Sequence, residues 1–166
     1  TKQQGADAGA AAVSSTIVMR VLCGPMCDVF GARRTFVLLL LLAVPGILGL
    51  MFITDGNGLI VCRFFIGIGL ATFVTSQVWC SQMFGKDIVG VVNATAGGWG
   101  NLGGGVTNLT MPFIFQGFYS ALSGETAYKE DLAWRLCYIV PLSMHILGAA
   151  LALTCRDLPD GMIKEL

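Results

Sequence analysis

The chain has 166 residues, of which 55% are hydrophobic and only 12% charged, with 10 basic and 10 acidic side chains and a formal net charge of zero. Mean hydropathy is +0.75. A typical soluble domain carries roughly 25% charged residues, so this composition excludes a soluble enzyme of ordinary surface, a disordered segment and a basic nucleic-acid-binding domain; it implies a lipid bilayer as surroundings.

Apolar runs in chain order predict an all-α membrane protein with five crossings. The first candidate span covers about 8–27 and is rich in Ala and Ser, broken only by Arg20. Further spans are expected at about 35–54, 59–84, 88–118 and 134–155, each at least as long as the roughly 20 residues that a helix needs to cross the hydrocarbon. The connections 28–34, 55–57, 85–87 and 125–135 are short, which makes consecutive helices antiparallel neighbours. Arg33, Arg34, Lys86, Arg156 and Lys164 fall on one side, and Lys2, Lys129 and Arg135 on the other. The excess places 28–34 in the cytoplasm. Tyr119, Tyr128, Trp134 and Tyr138 then sit near the outer interface, where amphipathic rings are favoured. The chain opens on Thr1 and stops in a charged stretch, so it is expected to be a fragment of a longer protein. The six cysteines are scattered without the spacing of a disulfide framework or a metal site. Cys23 and Cys27 share a helix face but lack further ligands, so no metal or other cofactor is expected.

Arg20 stands out. It lies eight residues before Asp28, which at 1.5 Å per residue puts it about 12 Å below the membrane edge, near the middle of a core roughly 30 Å thick. An arginine at that depth costs about 2.5–3.5 kcal/mol to insert. No acidic residue shares its span or its depth elsewhere in the chain. Its counter-charge is therefore either a bound anion or an acid in another part of the protein. The planar guanidinium suits an oxyanion, because two N–H groups can bond two oxygens at once. Thr16, one turn away, would add a hydroxyl.

The following segment, Gly24-Pro25-Met26-Cys27-Asp28-Val29-Phe30-Gly31-Ala32-Arg33-Arg34, reads as a helix stop, a tight glycine turn and a cytoplasmic charge cluster. Its pattern, with Gly24, Asp28, Gly31, Arg33 and Arg34 in register, resembles the loop between helices 2 and 3 of the major facilitator superfamily. The resemblance implies a loop that gates alternating access without touching substrate. Arg63-Phe64-Phe65-Ile66-Gly67-Ile68-Gly69 resembles that superfamily's helix 4, where the arginine is associated with proton coupling. Arg63 is also close enough to the outer end of its span to snorkel to the surface.

Gly98, Gly100 and Gly103 satisfy G-x-G-x-x-G, but they lie within the uncharged run 88–124, with no strand to precede them. A dinucleotide site is therefore rejected. Small residues recur four apart at Gly90, Ala94 and Gly98, and at Ala96, Gly100 and Gly104, a face suited to close helix contact. Asn101 would offer its amide N–H groups to a small oxyanion in the narrow space left between helices. Val92-Asn93-Ala94-Thr95 followed by Ala96-Gly97-Gly98-Trp99-Gly100-Asn101-Leu102-Gly103-Gly104-Gly105 resembles the signature of the nitrate/nitrite porter family, closest to its eukaryotic high-affinity branch. The resemblance extends through Leu70–Thr75, Ala133-Trp134-Arg135 and Asp157-Leu158-Pro159-Asp160-Gly161. It implies five of the six helices of the N-terminal half, with Arg20 as substrate arginine, Phe73 against the bound anion, and Gly97, Gly98, Gly100 and Asn101 shaping the site.

The function expected on these grounds is uptake of nitrate, and also nitrite, by proton symport with alternating access, in an integral multi-pass protein of the plasma membrane. Its partners would be nitrate and protons, the C-terminal six-helix half, the lipid bilayer and an accessory membrane subunit, with no nucleic acid. The alternatives are a porter of the same fold for another small anion and a non-transporting membrane scaffold or receptor. No nucleophile–base pair or carboxylate pair lies in a span, so an enzyme is not expected. His145, the single histidine, lies midway along the last span. It reads either as a histidine satisfied by a neighbouring helix or as a proton relay.

Overall fold

The computed structural model describes residues 2–160, so Gly161 and Lys164 of the sequence arguments above lie outside the described residues. The described residues form seven α-helices: α1 Lys2–Phe30, α2 Ala32–Phe52, α3 Gly56–Gly69, α4 Thr72–Met83, α5 Val89–Ala121, α6 Thr126–Cys137 and α7 Ile139–Thr154. Among the described residues, four stretches are long and apolar enough to cross a membrane, namely 2–30, 32–52, 56–83 and 126–154. Helix α5 has the length, at 33 residues, and carries no charge, but its Gly, Asn and Thr content leaves it short of the others in apolarity.

The helix stop expected at Gly24-Pro25 is absent, because α1 runs through both residues to Phe30. The turn is Gly31 alone, with φ of 86°, a backbone that side chains rarely tolerate. Its amide donates to the Cys27 carbonyl at 3.0 Å and closes α1. Asp28 thus lies in the last turn of α1, and Arg33 and Arg34 in the first turn of α2.

The span expected at 59–84 is divided. Leu70 and Ala71 separate α3 from α4, and their amides bond back three residues to Gly67 and Ile68, a tightened turn. The connection expected at 125–135 is instead the amphipathic helix α6, joined to α7 through a similar tight turn at Tyr138.

Helix α1 packs most extensively on α3, and α2 is flanked by α3 and α7. Cys23, Leu39, Ile68 and Ala71 form the core where α1, α2 and the α3–α4 break meet. Val37, Ala149 and Ala152 form a second core between α2 and α7. The α1–α3 approach depends on Gly67. A methyl group there would run into the Ala12 carbonyl and the Ser15 hydroxyl, and without it the Thr16 hydroxyl reaches the Gly67 carbonyl at 2.7 Å.

Two arginines fasten α2 and α7 at opposite ends. Buried Arg33 donates to the Leu153 and Cys155 carbonyls at 2.8 and 3.0 Å and to the Asp157 carboxylate at 3.3 Å. The backbone amide of Arg33 also donates to Asp157, at 3.2 Å. At the other end Arg135 donates to the Met51 and Ile53 carbonyls at 2.8 and 2.9 Å, while its Nε meets Asp131 at 2.7 Å. Each guanidinium thus occupies carbonyls that a helix C-terminus leaves without partners.

Candidate functional site

A cavity of about 870 Å³ opens between α1, the α3–α4 break, α5 and α7. Its walls are mostly apolar, and Arg20 is the one charged group among the described residues that line it. The Arg20 guanidinium lies 5.8 Å from the centre of the Phe73 ring, within cation–π range. No carboxylate pairs with Arg20 among the described residues. Phe73 occupies this place because it begins the second residue of α4, directly after the break.

Helix α5 supplies the facing wall. A methyl group at Gly97 would sit 3.5 Å from the Phe73 ring, and one at Gly100 would sit 4.0 Å away. The two glycines therefore let α5 approach Phe73, and Gly100 and Asn101 line the cavity beside it. Gly98 does not line it and has open space around it. Of the glycines in the small-residue series expected to make close helix contact, Gly100 alone has a neighbour, and the tighter approach falls at Gly97, outside that series. Gly90, Gly104 and the rest of that glycine series have nothing near them.

The Thr16 hydroxyl lines the cavity but is not a free donor. It lies 2.7 Å from both the Ala12 and Gly67 carbonyls, so its one proton is held by the backbone. Arg63 is exposed on α3 and does not line the cavity. Gly24, Asp28, Gly31, Arg33 and Arg34 lie away from it, at the end of the bundle where α1 turns into α2. Among these, Asp28 and Arg34 are exposed and Arg33 is buried against Asp157. His145 lines the cavity on the α7 side, with Nδ1 2.8 Å from the Pro141 carbonyl.

Sequence reasoning gave no role to Asp157 or to the carbonyl-capping function of Arg135. Asp157 stands 124 positions from its partner, and nothing in the local pattern joins the two. A lone carboxylate just past the end of an apolar run was the available signal.

A cavity with one unpaired cation among the described residues is suited to hold a small anion by charge, by hydrogen bonds from guanidinium and amide, and by a ring face. Comparison with known proteins agrees with that chemistry. The model of the Major Facilitator Superfamily matches residues 2–164. The chain is 41% identical over 156 residues to "High affinity nitrate transporter 2.5" of Arabidopsis thaliana, covering 93% of this chain and 30% of that protein. It is 40% identical over 162 residues to "Nitrate transporter 2.1" of Chlamydomonas reinhardtii, covering 97% and 29%. "Nitrate/nitrite transporter NrtP" of Nostoc punctiforme is 28% identical, covering 90% and 29%. The chain therefore spans about 30% of the length of these relatives. In structure it is similar to the inward-open xylose transporter XylE from E. coli, with a TM-score of 0.76 at 18% identity, over 95% of this chain and 38% of that one. That likeness concerns the fold. The matched family and relatives are transporters rather than enzymes, and the chain is that of an integral multi-pass membrane protein. It belongs to the major facilitator superfamily, within which it is similar to nitrate and nitrite transporters.

Proposed function

We propose that this chain forms most of the N-terminal half of a secondary transporter that carries nitrate, and also nitrite, across the plasma membrane together with protons. The observation that carries the reading is Arg20, a mid-span cation without a carboxylate partner among the described residues, facing a cavity over the Phe73 ring. The substrate class draws support from the nitrate transporters to which the chain is similar. In this reading α5 is a fifth crossing, with Gly100 and Asn101 in the wall of the site, Gly97 behind it against the Phe73 ring and Gly98 turned away. A C-terminal half of six helices completes the cavity, because alternating access needs two halves rocking about a central site. The segment from Gly24 to Arg34 forms part of the cytoplasmic gate, and an accessory membrane subunit assists the complete protein.

Proton coupling follows from charge. Moving an anion into a cell against an inside-negative potential costs about 2.3 kcal/mol per 100 mV, and symport of more than one proton per nitrate reverses that sign. Arg63, exposed on α3, takes part in this coupling by its place in the helix-4 pattern.

The test is voltage-clamp recording of the full-length protein at mildly acidic external pH, with chloride as the control anion. A nitrate-evoked inward current that disappears in Arg20→Ala at matched surface abundance is expected. An unchanged current in Arg20→Ala would remove Arg20 from the site. A current selective for a different anion would keep the site and change the substrate.

A further inference from the structure

We propose that His145 carries the proton that accompanies the anion, binding it on Nε2 inside the cavity that also holds Arg20; this rests on the reading of the chain as part of a proton-coupled anion transporter. Nδ1 lies 2.8 Å from the Pro141 carbonyl. A carbonyl only accepts, so the neutral ring carries its hydrogen on Nδ1 and leaves a lone pair on Nε2. Nε2 is directed toward α3, where a methyl group on Gly69 would stand 3.7 Å from it. Gly69 packs there against the Ala43 methyl, 2.8 Å from where its own methyl would stand, and it lies immediately before the Leu70–Ala71 break that borders the cavity. Nε2 has no hydrogen-bond partner among the described residues.

The charges around this ring are few. Helix α1 contributes Arg20, the only permanent charge on the cavity wall among the described residues. The facing residues Leu40 of α2, Gly69 of α3, Phe73 of α4 and Asn101 of α5 are uncharged. Among the charged residues of α6, which borders α7, none lines the cavity; Arg135 is engaged by Asp131 and the end of α2. Arg63 of α3 does not line it, and Arg33 and Asp157 hold each other at the far end. His145 is therefore the one imidazole among the described residues that line the cavity.

The step is a simple protonation. The Nε2 lone pair forms an N–H bond to a proton of hydronium on the loading side, the hydronium O–H bond breaks to leave water, and the ring becomes an imidazolium. The cavity then holds two cations around one anion. Release of the anion to the other side removes the charge that favoured the imidazolium, and the proton returns to water there. Anion and proton each raise the affinity for the other by the same factor, which is the thermodynamic content of coupling.

The test uses the full-length transporter in proteoliposomes with nitrate as the probe. Internal acidification on nitrate entry and equilibrium exchange of isotopically labelled nitrate are measured together across about pH 5.5 to 8. The native protein should acidify the lumen as nitrate enters, at a rate that falls as the pH is raised. In His145→Gln and His145→Asn, protons moved per nitrate should fall, while exchange remains measurable and its pH dependence flattens. An unchanged proton-to-nitrate ratio and pH profile in either variant overturns the proposal. Loss of exchange together with acidification in both variants marks His145 as a packing residue and overturns it equally. Nitrate transport by the native protein without acidification removes the symport reading itself, a result obtained without any variant.

Discussion

Replacing Arg33 with alanine leaves the Asp157 carboxylate buried with the amide of residue 33 as its remaining partner in the pair, and it uncaps the Leu153 and Cys155 carbonyls. The two side chains are only 8% and 2% exposed, so water cannot replace the lost contacts. Breaking a buried pair by removing one member costs about 3–5 kcal/mol. At roughly 2–4 °C per kcal/mol for a domain of this size, the apparent melting temperature should fall by about 6–20 °C. Asp157→Asn keeps an acceptor oxygen and loses the charge assistance, a smaller cost of about 1.5–3 kcal/mol. The assay is thermal denaturation of the full-length protein in detergent, with Arg33→Ala, Asp157→Ala and the double variant compared. The double variant should be less damaged than the sum of the two singles, because each single change leaves a buried group without its partner. Single losses below about 2 °C, or strict additivity, would refute the reasoning. Nitrate should not alter the difference between variants, since both partners belong to one bundle.

Arg135→Ala frees the Met51 and Ile53 carbonyls and should lower stability by about 1.5–3 kcal/mol, whereas Asp131→Asn, at a carboxylate 61% exposed, should change it by no more than about 0.5 kcal/mol; the same denaturation assay ranks the two. Gly67→Ala places a methyl group against the backbone of Ala12, which forces α1 from α3 and should cost about 1–3 kcal/mol, read as reduced melting temperature and surface abundance. Phe73→Ala removes the ring beside Arg20. If the cation–π contact is worth about 0.5–1 kcal/mol, the nitrate KM should rise about two- to fivefold, with Phe73→Tyr restoring it.

The apolar runs and the lack of an acid on the helix of Arg20 were legible because each is a local property of one helix, whereas Phe73 and the glycines facing it were named from the family resemblance. The α3–α4 break was not legible. Leu70 and Ala71 are good helix formers, and the interruption arises where Cys23, Leu39, Ile68 and Ala71 pack together across three helices. Helix α6 was read as a connection because its Lys129, Glu130 and Asp131 break the hydropathy, although alternating charge on one face is compatible with a helix. The stop expected at Gly24-Pro25 failed for a related reason. The rest of α1 is held by its packing on α3, which outweighs a single lost backbone bond. Thr16 was expected to face an anion, and the contact that uses its proton comes from 51 residues away.

Helices α2 and α7 run antiparallel, each with the carbonyls at its C-terminal end held by an arginine, Arg33 from the start of α2 and Arg135 from just ahead of α7. A longitudinal shear of one helix past the other by a single turn, about 5.4 Å, would pull one guanidinium out of reach and drive the other into its neighbour's last turn. Movement in either direction is opposed from both ends, so the pair behaves as one rigid beam. Changes of shape in this bundle must then arise elsewhere, by bending at Leu70–Ala71 or by displacement of α5, which rests chiefly on α4 and α6.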